Sequence, residues 1–110
     1  MDFNTYQQQA LTTALYTGDD LRDLTHWVLG ISGESGEVAE KLKKIIRDKK
    51  GIVSNEDRHE IAKEIGDVLW YLAVCAHHLG VPLEEIATVN LAKLADRKDR
   101  QQLQGSGDNR

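Results

Sequence analysis

The sequence predicts an all-α fold, an antiparallel bundle of about four helices completed by oligomerisation, and three observations carry that prediction. Apolar residues recur at spacings of three, four or seven along most of the chain. Residues that start or stop helices, among them Gly18, Gly51, Ser54, Gly80 and Pro82, fall between those runs. A chain of 110 residues buries only a small core on its own, so packing against copies of itself would add useful stability.

Each element follows from local signals. Asn4 or Thr5 can cap a first helix running to about Tyr16, and Gly18 ends it in the turn TGDD. From Leu21 a long amphipathic helix carries Leu24, Val28, Ile31, Val38, Leu42 and Ile45, with the small Ser35 filling a gap in the stripe. Its pattern fails at RDKKGIVSNED, where Gly51 is a terminator and Ser54, followed three residues later by Asp57, resembles a capping box. The third helix has the stripe Ile61, Ile65, Val68, Leu72 and Leu79 and stops at Gly80. Pro82 suits the first turn of a fourth helix, which carries Leu83, Ile86, Leu91 and Leu94. We therefore expect one domain over residues 1–99 and a flexible polar tail over residues 100–110, the sequence DRQQLQGSGDNR from Asp99 onward having no apolar period.

Composition narrows the function classes. A formal net charge of −4 argues against a general nucleic-acid surface while leaving room for a local basic patch that grips phosphates. No stretch approaches the roughly 18 apolar residues that a membrane span needs, and the N-terminus lacks a basic region followed by an apolar run. Cys75 is the single cysteine, which excludes an internal disulfide and a cysteine-based zinc site. The expectation is a cytoplasmic protein without membrane or nucleic-acid partners.

Four carboxylates carry the chemistry. Glu34 and Glu37, then Glu64 and Asp67, form two pairs spaced i, i+3 inside helical patterns, so each pair occupies one helix face. At about 100° per residue, Glu34 lies on one flank of the second helix with Trp27, Gly30 and Lys41, and Glu37 lies further round. Glu40 falls well away from Glu34 and is the weaker ligand candidate. On the third helix Glu60, Glu64, Asp67, Tyr71 and His78 share a flank, whereas Trp70 faces nearly the opposite way, as an aromatic covered by oligomer packing would. Two such helices face to face would gather four mutually repelling carboxylates, an arrangement that a hard divalent cation such as magnesium makes favourable. A redox di-iron centre fits poorly, since the chain has one ExxH spacing, Glu56 to His59, rather than two.

The segments LGISGESGEVAEKLKKIIR and EIGDVLWYL, with 26 residues between Glu37 and Glu64, and the later NLAKLADRK resemble the MazG-like nucleoside triphosphate pyrophosphohydrolases of the all-alpha NTP pyrophosphatase superfamily. The resemblance runs from about Tyr6 to Arg97. It implies a hydrolase acting on phosphoric anhydrides, in which Glu34, Glu37, Glu64 and Asp67 hold Mg2+, with Mn2+ as a substitute. Glu34 or Glu37 would be the catalytic base. Asn90, Lys93 and Arg97 match the family's phosphate-binding positions, and Trp27, Tyr71 and His26 would border the base and sugar. The implied reaction converts a nucleoside triphosphate to monophosphate and pyrophosphate, in the service of nucleotide-pool sanitation. The implied assembly is a homo-oligomer, a tetramer in preference to a dimer. Gly30, Gly33 and Gly36 would allow close helix approach near the metal. The competing reading is a non-enzymatic, self-associating helical module that uses Trp70 and Val74; it leaves the acidic flanks without a role.

Overall fold

A computed structural model describes residues 1–110 as four helices and no strands. The first helix, α1, spans Phe3–Leu11 and is capped by Asp2, whose carboxylate accepts from the Thr5 amide at 2.7 Å. It is shorter than its sequence suggests. Neither Asn4 nor Thr5 is the cap, and the helix stops five residues before Tyr16. Thr12 and Thr13 turn their hydroxyls onto the carbonyls of Gln9 and Ala10, the local competition for backbone groups that ends helices.

The second helix, α2, spans Asp20–Asp48 and is about 43 Å long at 1.5 Å per residue. Asp19 caps it, and the buried Asp23 accepts from both the amide and the hydroxyl of Thr17, tying the incoming loop to its first turn. Those hydrogen bonds, led by the Thr17 amide, hold the Asp23 carboxyl below its ordinary value. Lys50 and Gly51 take positive φ, 55° and 76°, and reverse the chain. The third helix, α3, spans Asn55–His78 and starts with the expected capping box between Ser54 and Asp57. Lys49 also donates to Asp57 at 2.6 Å, locking the α2–α3 corner.

Side-chain pairs along α2 and α3 establish that the two helices run antiparallel. Lys49 meets Asp57 near one end, and Trp27 and Asp20 meet His78 at the other. The α2 side of the seam is Leu24, Ile31, Val38 and Ile45, each buried or half-buried and seven residues apart. A second row three residues on contains Trp27, Glu34 and Lys41, so the seven-residue repeat itself carries Glu34 into the helix interface.

Ala73, Val74, Cys75 and Ala76 are all buried. Four consecutive residues cover most of a helical circumference, so this turn of α3 is surrounded and forms the centre of the core. Burial raises the proton affinity of the Cys75 thiol and leaves it an inert packing group. The buried Gln7 of α1 donates to the carbonyls of Ala73 and Val81 at 3.0 and 3.4 Å, and its oxygen accepts from the Leu83 amide at 3.1 Å. That last bond serves an amide at the start of the fourth helix, α4, Leu83–Asp99, with Pro82 as the N-cap residue.

Several apolar residues assigned to stripes lie outside this core. Val28 and Leu42 of α2 are 51% and 48% exposed, and Ile65, Leu72 and Leu79 of α3 are 54%, 38% and 59% exposed. Both rows sit four residues on from seam positions, Leu24 and Val38 on α2 and the buried or half-buried Ile61, Val68 and Cys75 on α3, and for antiparallel helices that offset falls on the same side of the pair. The hairpin thus has an acidic flank and an apolar one. Trp70 also departs from expectation: it is half-buried, packs edge-on against Trp27 and Tyr71, and donates to Thr13 Oγ1 at 2.9 Å. Within the chain, α1 and the residues after it supply this cover.

The chain is open for its size. Its radius of gyration is 17.0 Å, against roughly 13 Å for a compact domain of this length. No helix is long and apolar enough to cross a membrane.

Candidate metal centre

The site is built on the acidic flank of the α2–α3 hairpin. Oxygens of Glu34, Glu64 and Asp67 all lie within 4.8 Å of one another. Glu34 and Glu64 are half-buried and Asp67 is exposed, so the cluster opens to solvent on one side. Desolvation, followed by the charges of Asp67, Glu64 and Glu37, raises the Glu34 pKa above its ordinary value. A cation at the centre of these oxygens would remove that repulsion. Three converging carboxylates with one open side fit a hard, oxygen-seeking divalent ion.

Glu37 stands outside this trio, one turn along α2 and more exposed, yet close enough for its charge to act on Glu34. Glu40 belongs to a different face, where it pairs with Lys43 at 2.9 Å and Lys44 at 4.0 Å. The nearest cation to the trio is Lys41, with its ammonium 3.7 Å from Glu64 and 3.9 Å from Glu60. Helical phase places Lys41 on this flank, but its reach across to α3 is not encoded in any single-helix spacing.

Tyr71 lies across the backbone of α2. A Cβ built on Gly30 would come within 2.1 Å of Tyr71 Cε1, so glycine is required there for the ring to rest on the helix. No neighbouring atom lies within 4 Å of the equivalent position at Gly33 or Gly36. Close approach within the chain therefore rests on Gly30 alone.

The aromatic residues divide between core and surface. Trp27 is 2% exposed and its indole N–H donates to His78 Nδ1 at 3.3 Å, so it offers no face to a ligand within one chain. His26 packs edge-on against Trp27 and lies 6.2 Å, centroid to centroid, from Tyr71. It also lines a surface cleft of about 500 Å³ with Arg22, Asp23 and Leu29. Tyr6 of α1 lies within reach of the charge on Asp67, which, after burial, raises its pKa. Only tertiary packing of α1 on α3 reveals that neighbour.

Asn90, Lys93 and Arg97 sit on α4, which packs on α1 and α3 and makes no contact with α2. Asn90 is exposed, Lys93 half-buried and Arg97 buried. Asn90 and Lys93 line a recess of about 400 Å³ that contains none of the four carboxylates. The Lys93 ammonium donates to Asp108 Oδ1 at 2.6 Å, and Arg97 Nη2 donates to the Asp108 carbonyl. Within a single chain the acidic trio and the basic triplet are separate features.

Comparison with known proteins agrees with the paired acidic helices. The MazG nucleotide pyrophosphohydrolase domain matches residues 22–101, from the first turn of α2 to just beyond α4. The chain is similar to the Gene 37 protein of Mycobacterium phage L5, at 46% identity over 114 aligned positions covering the whole of both chains. No solved structure matches it. With the domain match extending over the acidic hairpin and the basic helix alike, the chain belongs to the MazG nucleotide pyrophosphohydrolase family.

Proposed function

We propose that the protein is a magnesium-dependent hydrolase that converts nucleoside triphosphates to nucleoside monophosphates and pyrophosphate, and that it serves nucleotide-pool sanitation. The observation that carries this reading is the convergence of Glu34, Glu64 and Asp67 in a family of nucleotide pyrophosphohydrolases. Glu34, Glu64 and Asp67 would hold a divalent cation, which would supply charge neutralisation at phosphate oxygens and favour deprotonation of the attacking water.

The chain's own groups would then divide the work. Glu34, Glu64 and Asp67 would hold the cation, and their mutual repulsion, which raises the proton affinity of Glu34, would be relieved by its charge. Glu37, outside the trio, is left free to accept a proton as the water oxygen bonds to phosphorus. The P–O bond between the α- and β-phosphates breaks, and pyrophosphate departs with the electron pair. Lys93 and Arg97 hold the leaving group and stabilise its charge, with Asn90 as an additional donor. Tyr71 and His26 border the nucleoside; Trp27 sets their position from beneath.

A second copy completes this site. The accessible surface of 8090 Å² exceeds the roughly 6,100 Å² of a compact monomer of this mass by about 2,000 Å². That surplus is of the size a stable interface removes. The apolar flank of Val28, Leu42, Ile65, Leu72 and Leu79 supplies a surface for self-association, in a tetramer by preference. Assembly also gives the α4 triplet of one copy a route to the acidic trio of another.

The test is a hydrolysis screen of canonical and modified nucleoside triphosphates in magnesium, with pyrophosphate and orthophosphate measured separately. Pyrophosphate release that is lost in Asp67→Asn and Glu37→Gln, both folded, supports the mechanism. Orthophosphate as the sole inorganic product rejects the bond cleavage. No turnover of any triphosphate, together with stability unchanged by magnesium, leaves a self-associating helical module.

A further inference from the structure

The eleven residues after Asp99 fold back on α4 instead of leaving it. Gln101, at φ 57°, turns the chain, and the Gln102 amide donates to the Arg97 carbonyl at 2.7 Å. Arg110 then gathers the loop, its guanidinium donating to the carbonyls of Gln102, Leu103 and Gly107 at 3.3, 3.0 and 2.6 Å. Arg100 Nη2 closes it by donating to the Arg110 carbonyl at 2.8 Å. The one side chain of this loop that reaches Lys93 and Arg97 is Asp108. Its carboxylate lies 2.6 Å from Lys93 Nζ and 3.4 Å from Arg97 Nη2.

A carboxylate bridging an ammonium and a guanidinium makes the contacts that a phosphate oxygen would make. The two cations draw the Asp108 carboxyl below its ordinary pKa, Lys93 more than Arg97. Arg97 is 5% exposed and its Nε–H, also buried, has no acceptor. A buried guanidinium with an unspent donor is an incomplete anion site, since burying such a group without a partner costs free energy. Polar contacts hold the loop to α4, with little apolar burial: Leu103 is 50% exposed and the Asp108 side chain 76% exposed. Little apolar area is lost when it lifts away.

We propose that residues 100–110 form a displaceable strap in which Asp108 occupies the anion site of Lys93 and Arg97 until a phosphate group takes its place. The strap is an internal competitor. It lowers the apparent affinity of the site for polyphosphate by the fraction of time the site is covered, and its release raises the local charge from two cations against one anion to two cations alone. Arg97 gains an acceptor for its Nε–H when the strap is replaced by a phosphate with several oxygens. The proposal rests on the reading of Lys93 and Arg97 as phosphate-binding residues, and it is tested without turnover.

The experiment is calorimetric titration of the full chain with inorganic pyrophosphate at low ionic strength, in chelator and without nucleotide. Wild type, Asp108→Asn and the double variant Lys93→Ala/Asp108→Asn are compared, with helicity checked by circular dichroism. Asp108→Asn should bind pyrophosphate about tenfold more tightly, the factor for a strap closed roughly nine-tenths of the time. The double variant should lose that gain. Equal or weaker binding by a helical Asp108→Asn protein, or a gain that survives loss of Lys93, overturns the strap. Turnover with unaltered pyrophosphate binding removes the strap and leaves the proposed reaction standing; tighter binding in a protein that hydrolyses nothing does the reverse.

Discussion

Replacing Gly30 by alanine tests the packing that brings α2 and α3 together beside the carboxylates. The added Cβ would stand 2.1 Å from Tyr71 Cε1, 2.2 Å from Cδ1 and 2.5 Å from Cζ, so it meets the edge of the ring along three carbons. Either the ring swings off α2 or the helices part. Overpacking of this kind costs about 1–3 kcal/mol, while alanine recovers up to about 1 kcal/mol of helix propensity. With full recovery the net loss centres on about 1 kcal/mol, a fall in Tm of roughly 4–5 °C for a domain of this size. Gly33→Ala, one turn away with no neighbour within 4 Å, should gain stability instead. Thermal unfolding of both variants reads the contrast, and a Tyr71→Ala background isolates its cause. In that background Gly30→Ala should become stabilising. A Gly30→Ala protein as stable as wild type, or one whose loss persists without Tyr71, would refute the reasoning.

Other perturbations address the remaining links. In chelator, Glu34→Gln should raise stability at neutral pH, because the raised Glu34 pKa makes the folded state the better proton binder. The advantage should shrink as pH falls toward the ordinary value of 4.5, and magnesium should stabilise wild type but not this variant, as followed by thermal shift. Asp57, with its pKa lowered from 3.8 to about 2, contributes stability above pH 3.8 that is lost as pH falls through about 2. The Tm difference between wild type and Asp57→Asn should close over that window, and Ser54→Ala should cost about 1 kcal/mol in denaturant unfolding. Gln7→Leu strands the Leu83 amide, which should cost about 1–3 kcal/mol and speed hydrogen exchange at that amide. If the apolar flank joins copies of the chain, Leu42→Glu with Leu72→Glu should shift the protein to monomer in sedimentation, whereas a change at the exposed Arg58 should not.

The periodic signals of this chain map directly onto its helices, because period, caps and breakers act within a few residues of one another. Ser54 and Asp57 form the capping box that their spacing announces, and Gly51 and Gly80 take the positive φ that breaks each helix. The short α1 was less legible, since Thr12 and Thr13 end it through hydroxyl contacts that compete with a continuing apolar pattern. Spacing also located Glu34, Glu64 and Asp67 on facing flanks, and the seven-residue seam brings them together. Contacts between residues far apart in sequence left no such trace. Trp70 finding Thr13, Tyr6 approaching Asp67 and Asp108 bridging Lys93 and Arg97 depend on where α1 and the tail pack. Apolar periodicity likewise marks which residues seek cover without saying whether the cover is this chain or another. Trp70 is covered from within, while Leu79, 59% exposed, is not.

The most direct test of the account is a manganese titration followed by electron paramagnetic resonance, with pyrophosphate release from a turned-over triphosphate measured on the same wild-type, Glu34→Gln and Glu40→Gln samples. Glu34→Gln should lose both tight metal binding and pyrophosphate release, and Glu40→Gln should keep both. Pyrophosphate release that persists in Glu34→Gln without tight metal binding would contradict the account.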